Sequence, residues 1–293
     1  MSDDGCVPLS VDRHRGRFWR RFASYDFARH WRTVPLVLAE VEPVAAAMPI
    51  LFSHTADGPR PVALLRLVPG GTSAFVSPQG LWLATHVPSL VRVHPFSARD
   101  AGNGRMVLMV DEGSGLVTGT PTDEPFFGPD GALAGPTTEV VDFFRQREAS
   151  ALQAREACAA LDALGLLVPA AALTAEVPAD TWDGLSMVDR AAFAALGDAD
   201  HLRLRKLGCL GLVHAHFVSL AQIPWLRRAE ALRDAAGTAT PPQVQDARGA
   251  QGGVEDFMAA LAAAQEEGLT GGIEDPADAA APRSGRSRNG TTH

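Results

Sequence analysis

His214 and His216 stand two residues apart in GLVHAHFVSL. On a strand that spacing puts both rings on one face, as a metal pair needs. On a helix the two diverge by about 200°. The segment reads at least as well as helix, and no third ligand is spaced nearby. His216 is therefore expected to be a hydrogen-bonded core histidine, and neither metal nor cofactor is expected. Glu40 interrupts an otherwise apolar run. A carboxylate there needs Arg or backbone partners. It is either a general acid–base group or ligand anchor, or half of a structural ion pair with Arg66 or Arg92. His94 opens His-Pro-Phe and offers an aromatic surface with a polar tip. Trp82, in GLWLAT, is either a core anchor or the wall of a pocket. Glu40, Trp82, Arg92, His94 and His216 are thus the ligand-binding candidates. Asp111-Glu112 ends a strand and could hold a cation, although acids are common in turns.

Nucleophile signals are poor. There is no GxSxG, and Ser73 and Ser114 lie in loops without an adjacent base. Cys158 and Cys209 fall in apolar surroundings and read as inert core thiols. GSGLVTG at 113–119 fits neither the dinucleotide fingerprint nor the P-loop. The residues assign no catalytic set.

The elements that must position these groups follow from pattern. Val34 to Phe52 reads strand, helix, strand, with Pro43 in the first helical turn. Pro61 to Val68 is an apolar strand. Thr72–Val76 and Leu81–Thr85 flank a Ser-Pro-Gln-Gly turn and predict a hairpin. Met106–Asp111 is a buried strand. Over 137–164, apolar residues recur at steps of three and four, which predicts a long helix stopped by Gly165. Its charged face, with Arg145, Arg147 and Arg155, reads as solvated surface. A small helix is expected over 186–196. LRLRKLGCL at 202–210 alternates apolar and basic and reads as a half-buried strand. The segment 211–228 is a buried helix or strand.

Composition bounds the function. Hydrophobic residues make up 46%, enough for a core. The net charge of −8 argues against a nucleic-acid binder. Arg13 to Arg32 interleaves arginines with aromatics, which reads as rings docked on a core beneath solvated cations. Three cysteines without CxxC suit a reducing cytosol. The N-terminus lacks the apolar stretch of a signal peptide, and no segment is apolar enough for a membrane span. The chain reads as α+β, a largely antiparallel sheet with a long amphipathic helix. One domain is expected over 7–230, with a flexible acidic Ala/Gly/Pro-rich tail over 236–293 that is dispensable for folding.

Within residues 34–96, the order Val34-Pro35-Leu36, Glu40, Pro49-Ile50-Leu51-Phe52, Phe75-Val76, Gly80, Trp82, Val87-Pro88 and His94-Pro95-Phe96 resembles the bacterial SapC family. Asp111-Glu112, Phe126-Phe127, Val188-Asp189 and the segment 202–226 extend the likeness over about 7–228. Arg92 matches a family-like arginine, so Glu40–Arg92 is a testable pair. Arg190 stands where the family usually has an acid. The resemblance implies a cytoplasmic accessory or binding protein, tied to surface-layer or peptide-related systems, whose partner is an unknown protein or small molecule. The alternative is an enzyme or ligand binder with a pocket around Glu40, Arg92 and His94.

Overall fold

The apolar run ending at Thr55 turns back on itself through Ala56-Asp57-Gly58. Gly58 has φ of 98°, a left-handed value that glycine adopts without a Cβ penalty. Thr55 Oγ1 donates to Gly58 O at 3.0 Å and closes the turn. The antiparallel ladder that follows runs in register from Ile50↔Ala63 to Thr55↔Gly58. The computed structural model describes residues 5–102, 105–172 and 179–238.

In chain order the elements are β1 (Cys6–Pro8), α1 (Val11–His14), β2 (Phe18–Trp19), β3 (Thr33–Pro35), α2 (Val41–Ala45), β4 (Ile50–Thr55) and β5 (Gly58–Leu64). Then come α3 (Ser89–Arg92), β6 (Phe96–Asp100), β7 (Met106–Asp111), β8 (Val117–Thr118), β9 (Glu124–Pro125) and α4 (Gly135–Ala163). The described chain closes with β10 (Leu167–Pro169), β11 (Leu185–Val188), α5 (Arg190–Ala194), α6 (Asp198–Lys206), α7 (Cys209–Ser219) and α8 (Gln222–Thr238). The strands form three antiparallel sheets, ordered β10-β11-β4-β5-β3, β1-β7-β6 and β8-β2-β9. The fold is α+β, with antiparallel sheets and one long helix, as the sequence pattern predicts.

Two apolar clusters hold these layers. The larger gathers Ile50, Phe52, Leu64, Phe75, Leu161 and Leu212 around the five-stranded sheet. The smaller gathers Trp19, Phe96, Val110, Phe126, Val141 and Phe144. α4 serves both: Val141 and Phe144 pack in the smaller cluster, and Ala157, Cys158 and Leu161 in the larger. Its end follows from Gly165, at φ 65°. Leu166 N–H reaches back to Leu161 O at 3.0 Å and Gly165 N–H to Asp162 O at 2.8 Å, the paired bonds of a glycine C-cap.

Four expectations need correction. LRLRKLGCL is helical: α6 covers 198–206, and α7 begins at Cys209 after Gly208. Asp198 and Asp200 in its first turn and Arg203, Arg205 and Lys206 in its last match the helix dipole. Three alternating pairs were too few to separate period 2 from 3.6. The 72–85 hairpin reduces to one bridge, Val76↔Trp82, with Leu81 and Leu83 exposed. Residues 185–188 are strand β11, and the small helix α5 begins only at Arg190, capped by Asp189 Oδ1 accepting from the Ala191 and Ala192 N–H groups. Arg147 is not solvated surface: its side chain is 14% exposed and turned inward.

α8 continues past residue 230. Buried Glu230 accepts from Leu67 N–H at 2.6 Å and Val68 N–H at 3.1 Å. Arg233 donates to Ser73 O and Ala74 O. From residue 239 onward the expected tail lies outside the described residues. A chain ending at Ala229 should therefore be about 1–3 kcal/mol less stable than one ending at Thr238, because the buried Leu67 amide loses its acceptor and the half-buried Val68 amide loses its own. Urea unfolding of the two chains measures this, and equal midpoints would show that Glu230 contributes nothing.

Candidate functional site

Glu40 closes a short 3-10 turn, Leu38–Glu40. Its Oε1 accepts from Val37 N–H at 3.1 Å and Ser89 Oγ–H at 3.0 Å, and its Oε2 from Ser89 N–H at 2.9 Å. The cation beside it is Arg147, 3.7 Å away, rather than Arg92 or Arg66. Arg147 also donates to Ser89 Oγ at 3.0 Å and Pro35 O at 2.9 Å. Burial lowers the Arg147 pKa from its ordinary value, and Glu40 opposes that shift. The group joins α4 to β3 and α3. Arg92 ends α3, is exposed, and has no side-chain hydrogen bond or ion pair among the described residues.

His216 sits on the inner face of α7, fully buried, while His214 points outward. Its Nδ1–H donates to Ile50 O at 2.7 Å, and Nε2 accepts from Val188 N–H at 3.2 Å. The β11–β4 register, Leu185↔Ser53 and Ser186↔Phe52, would place Val188 opposite Ile50 if it continued. The imidazole stands in for that missing rung. Ser219, one turn on, accepts from Ile50 N–H at 2.8 Å. Burial lowers the His216 pKa to about 4, against the Ile50 carbonyl, which raises it.

Trp82 is half-buried against the larger cluster. Its ring lies 6.1 Å from Phe75 and 5.5 Å from Tyr25, and Nε1–H donates to His86 O at 2.8 Å.

His94 lines a cleft that the other four candidates do not reach. The cleft holds about 490 Å³. One wall is the face of the β1-β7-β6 sheet turned away from the smaller cluster. Val7, Val110 and Phe96 form one row of that sheet and pack inward. The adjacent row, Cys6, Asp111 and Pro95, alternates to the other face and meets the cleft with Ser97. The facing wall carries Phe27, His30, Trp31, Arg32 and Arg66, with Leu90 between the walls. His94 stacks on Phe27 at 3.9 Å and 14°. Burial lowers its pKa to about 4, opposed by Asp111, so the ring is neutral at pH 7.

Arg32 and Arg66 are the cations of the cleft. Arg32 donates to Asp183 O at 3.1 Å and to Thr181 O, and Arg66 to Val68 O at 2.9 Å. The Nε of each is buried without a hydrogen-bond partner, and neither has a carboxylate ion pair among the described residues. Burial, then the charge of Arg66, lowers the Arg32 pKa, and the Asp183 carboxylate opposes the shift. Arg66 was legible as a charge inside the apolar run ALLRLV, and Arg32 as the last cation of the aromatic stretch. That they share one cleft was not.

The SapC family model matches residues 9–226. The chain belongs to the SapC family. No curated protein and no solved structure matches it. Arg32, Arg66, His94 and Asp111 lie within the SapC stretch, and Cys6 lies just before it. At the position where SapC relatives are expected to carry an acid, Arg190 sets its guanidinium 4.0 Å over the Phe217 ring. Among the described residues, no single helix is long and apolar enough to cross a membrane. α7 and the first turns of α8 qualify only as a pair bent by 43°, and the inner face of α7 is occupied by the His216 and Ser219 bonds to Ile50. No group of three or more His, Cys, Asp or Glu side chains among the described residues is arranged to hold a metal.

Proposed function

We propose that this SapC-family protein is a cytoplasmic accessory protein that works by binding a small molecule in the cleft between the β1-β7-β6 sheet and the segment 27–32 with Arg66. The observation that carries the reading is the contrast in how polar groups are satisfied. Glu40 and His216 have their hydrogen bonds filled by the fold itself. The cleft is where unpartnered polar groups, aromatic faces and ligand-sized space coincide. One wall is the β1-β7-β6 sheet and the other is segment 27–32 with Arg66, whose Phe27 and Trp31 pack on the larger cluster, so the site is a seam between two cores of the kind ligands favour.

Ser97 faces the cleft from β6, so Ser97→Trp fills it on a strand position that tolerates an aromatic. Native mass spectrometry of the full chain should detect a small-molecule adduct, and Ser97→Trp should lose it without a drop in melting temperature. A wild-type chain that carries no small molecule and gains no thermal stability from a metabolite library would sink the reading. So would an adduct that survives in Ser97→Trp.

A further inference from the structure

The cleft holds two guanidiniums that form no carboxylate ion pair among the described residues. Arg32 is tied to backbone carbonyls at Thr181 and Asp183, which orient it, and the Asp183 carboxylate offsets its charge only from beyond ion-pair distance. Arg66 is tied only to Val68 O by the bonds described above. Both keep a buried Nε with no acceptor. Like charges brought together at a half-buried site repel each other, and an anion between them relieves that cost. The one acid lining the cleft, Asp111, uses Oδ1 to accept from Gly113 N–H at 2.9 Å and pairs with neither arginine. Beside the cations lie the stacked rings of Phe27 and His94, with Trp31 edge-on to Phe27 at 5.5 Å. A cationic fork next to an aromatic wall selects a molecule that has an oxyanion at one end and a flat apolar body at the other.

We propose that the ligand of the cleft is a small aromatic oxyanion, a carboxylate or phosphate ester, whose anionic group is held by Arg32 and Arg66 and whose ring lies against Phe27, Trp31 and His94. This rests on the cleft being the binding site and adds the chemical class of its occupant. The volume of about 490 Å³ takes one ring system with its substituent and leaves little room for a polymer. An arginine fork also discriminates by charge: the neutral analogue of the same shape leaves two half-buried cations without an anion and binds less well.

The test uses the full chain and four probes: phenylacetate, phenyl phosphate, the neutral phenylacetamide and inorganic phosphate. Melting temperature and calorimetric Kd are read for each. Phenylacetate or phenyl phosphate should bind at least about tenfold more tightly than phenylacetamide, the cost of losing one charge-assisted contact. The preferred organic anion should also bind more tightly than inorganic phosphate. Arg66→Gln should weaken the organic anion about tenfold or more and leave phenylacetamide unchanged. Arg66→Lys, which keeps the charge but loses the planar fork, should fall between. Should Arg66→Gln not fold, the lysine variant and the anion-to-amide ratio on the unaltered protein decide the matter. Equal binding of phenylacetate and phenylacetamide, both lost in Ser97→Trp, would overturn the anion assignment and leave the cleft as the site. Inorganic phosphate binding as tightly as phenyl phosphate would overturn the aromatic part. No shift with any probe would overturn the inference entirely, while the co-purification experiment still judges the cleft independently.

Discussion

Replacing His216 by alanine is expected to cost about 3–5 kcal/mol and to leave little folded protein at neutral pH. Two backbone groups lose their only bridge, the Ile50 carbonyl and the Val188 N–H. Each buried group left unsatisfied costs about 1–3 kcal/mol, and the cavity left by the ring adds to that. His214→Ala, on the exposed side of the same helix, should change stability by less than about 0.5 kcal/mol. Urea unfolding of the two variants gives the comparison. A His216→Ala loss below about 1 kcal/mol would show that the strands re-pair without the imidazole.

His216 also sets a pH window. In the folded chain its pKa is about 4, because burial disfavours the charged ring. In the unfolded chain it returns to about 6.5. Between those values the unfolded state binds the extra proton, so stability rises with pH across the window. The contribution is fully present above pH 6.5 and is lost as pH falls towards 4, reaching about 3 kcal/mol there. His94, also lowered to about 4, adds in the same direction with a smaller weight because it is only partly buried. Unfolding free energies measured across that range should slope upward with pH. A flat profile in the wild type would contradict the neutral, doubly bonded imidazole.

The second large effect is expected at Glu40. Glu40→Ala removes the acceptor of Val37 N–H, Ser89 N–H and Ser89 Oγ–H, and leaves the Arg147 guanidinium buried without its counter-charge. Breaking one side of such a group costs about 3–5 kcal/mol. Arg92→Ala, by contrast, should stay within about 0.5 kcal/mol of wild type, since that side chain is exposed and has no side-chain partner. A double-mutant cycle between Glu40 and Arg147 should give a coupling of about 1–3 kcal/mol, and one between Glu40 and Arg92 almost none. Coupling to Arg92 instead of Arg147 would restore the pair suggested by family position. If Glu40→Ala kept its stability but lost ligand, the carboxylate would belong to the binding site and the structural account would fall.

Some of this was settled by the sequence alone. Apolar residues recurring over 137–164, with a glycine at 165, specify a helix because both period and stop signal are local. The β4–β5 hairpin is also largely local: an apolar run, a short polar turn and a second apolar run. The order of packing residues from Val34 to Phe96 was enough to place the chain in the SapC family. Within GLVHAHFVSL, helical spacing already separates the two histidines onto different faces, and the structure buries His216 while leaving His214 exposed. Short segments were less legible. LRLRKLGCL carries a strand-like alternation, yet its helix is selected by flanking charges and by Leu204 fitting the core.

Partnership was decided only by tertiary structure. Arg147 lies 107 positions from Glu40 and was indistinguishable from the solvated arginines of its own helix until α4 crossed β5. His216 bridges Ile50 and Val188 across separations of 166 and 28 residues, which no local pattern encodes. The cleft is the clearest case. Cys6, Arg32, Arg66, His94 and Asp111 come from five separate segments, and only the packing of the two cores brings them together. Local sequence fixes backbone period and capping through contacts a few residues apart. A binding site made of long-range contacts depends on how layers pack, and packing is the sum of many apolar contacts that any one residue's neighbours in sequence do not reveal.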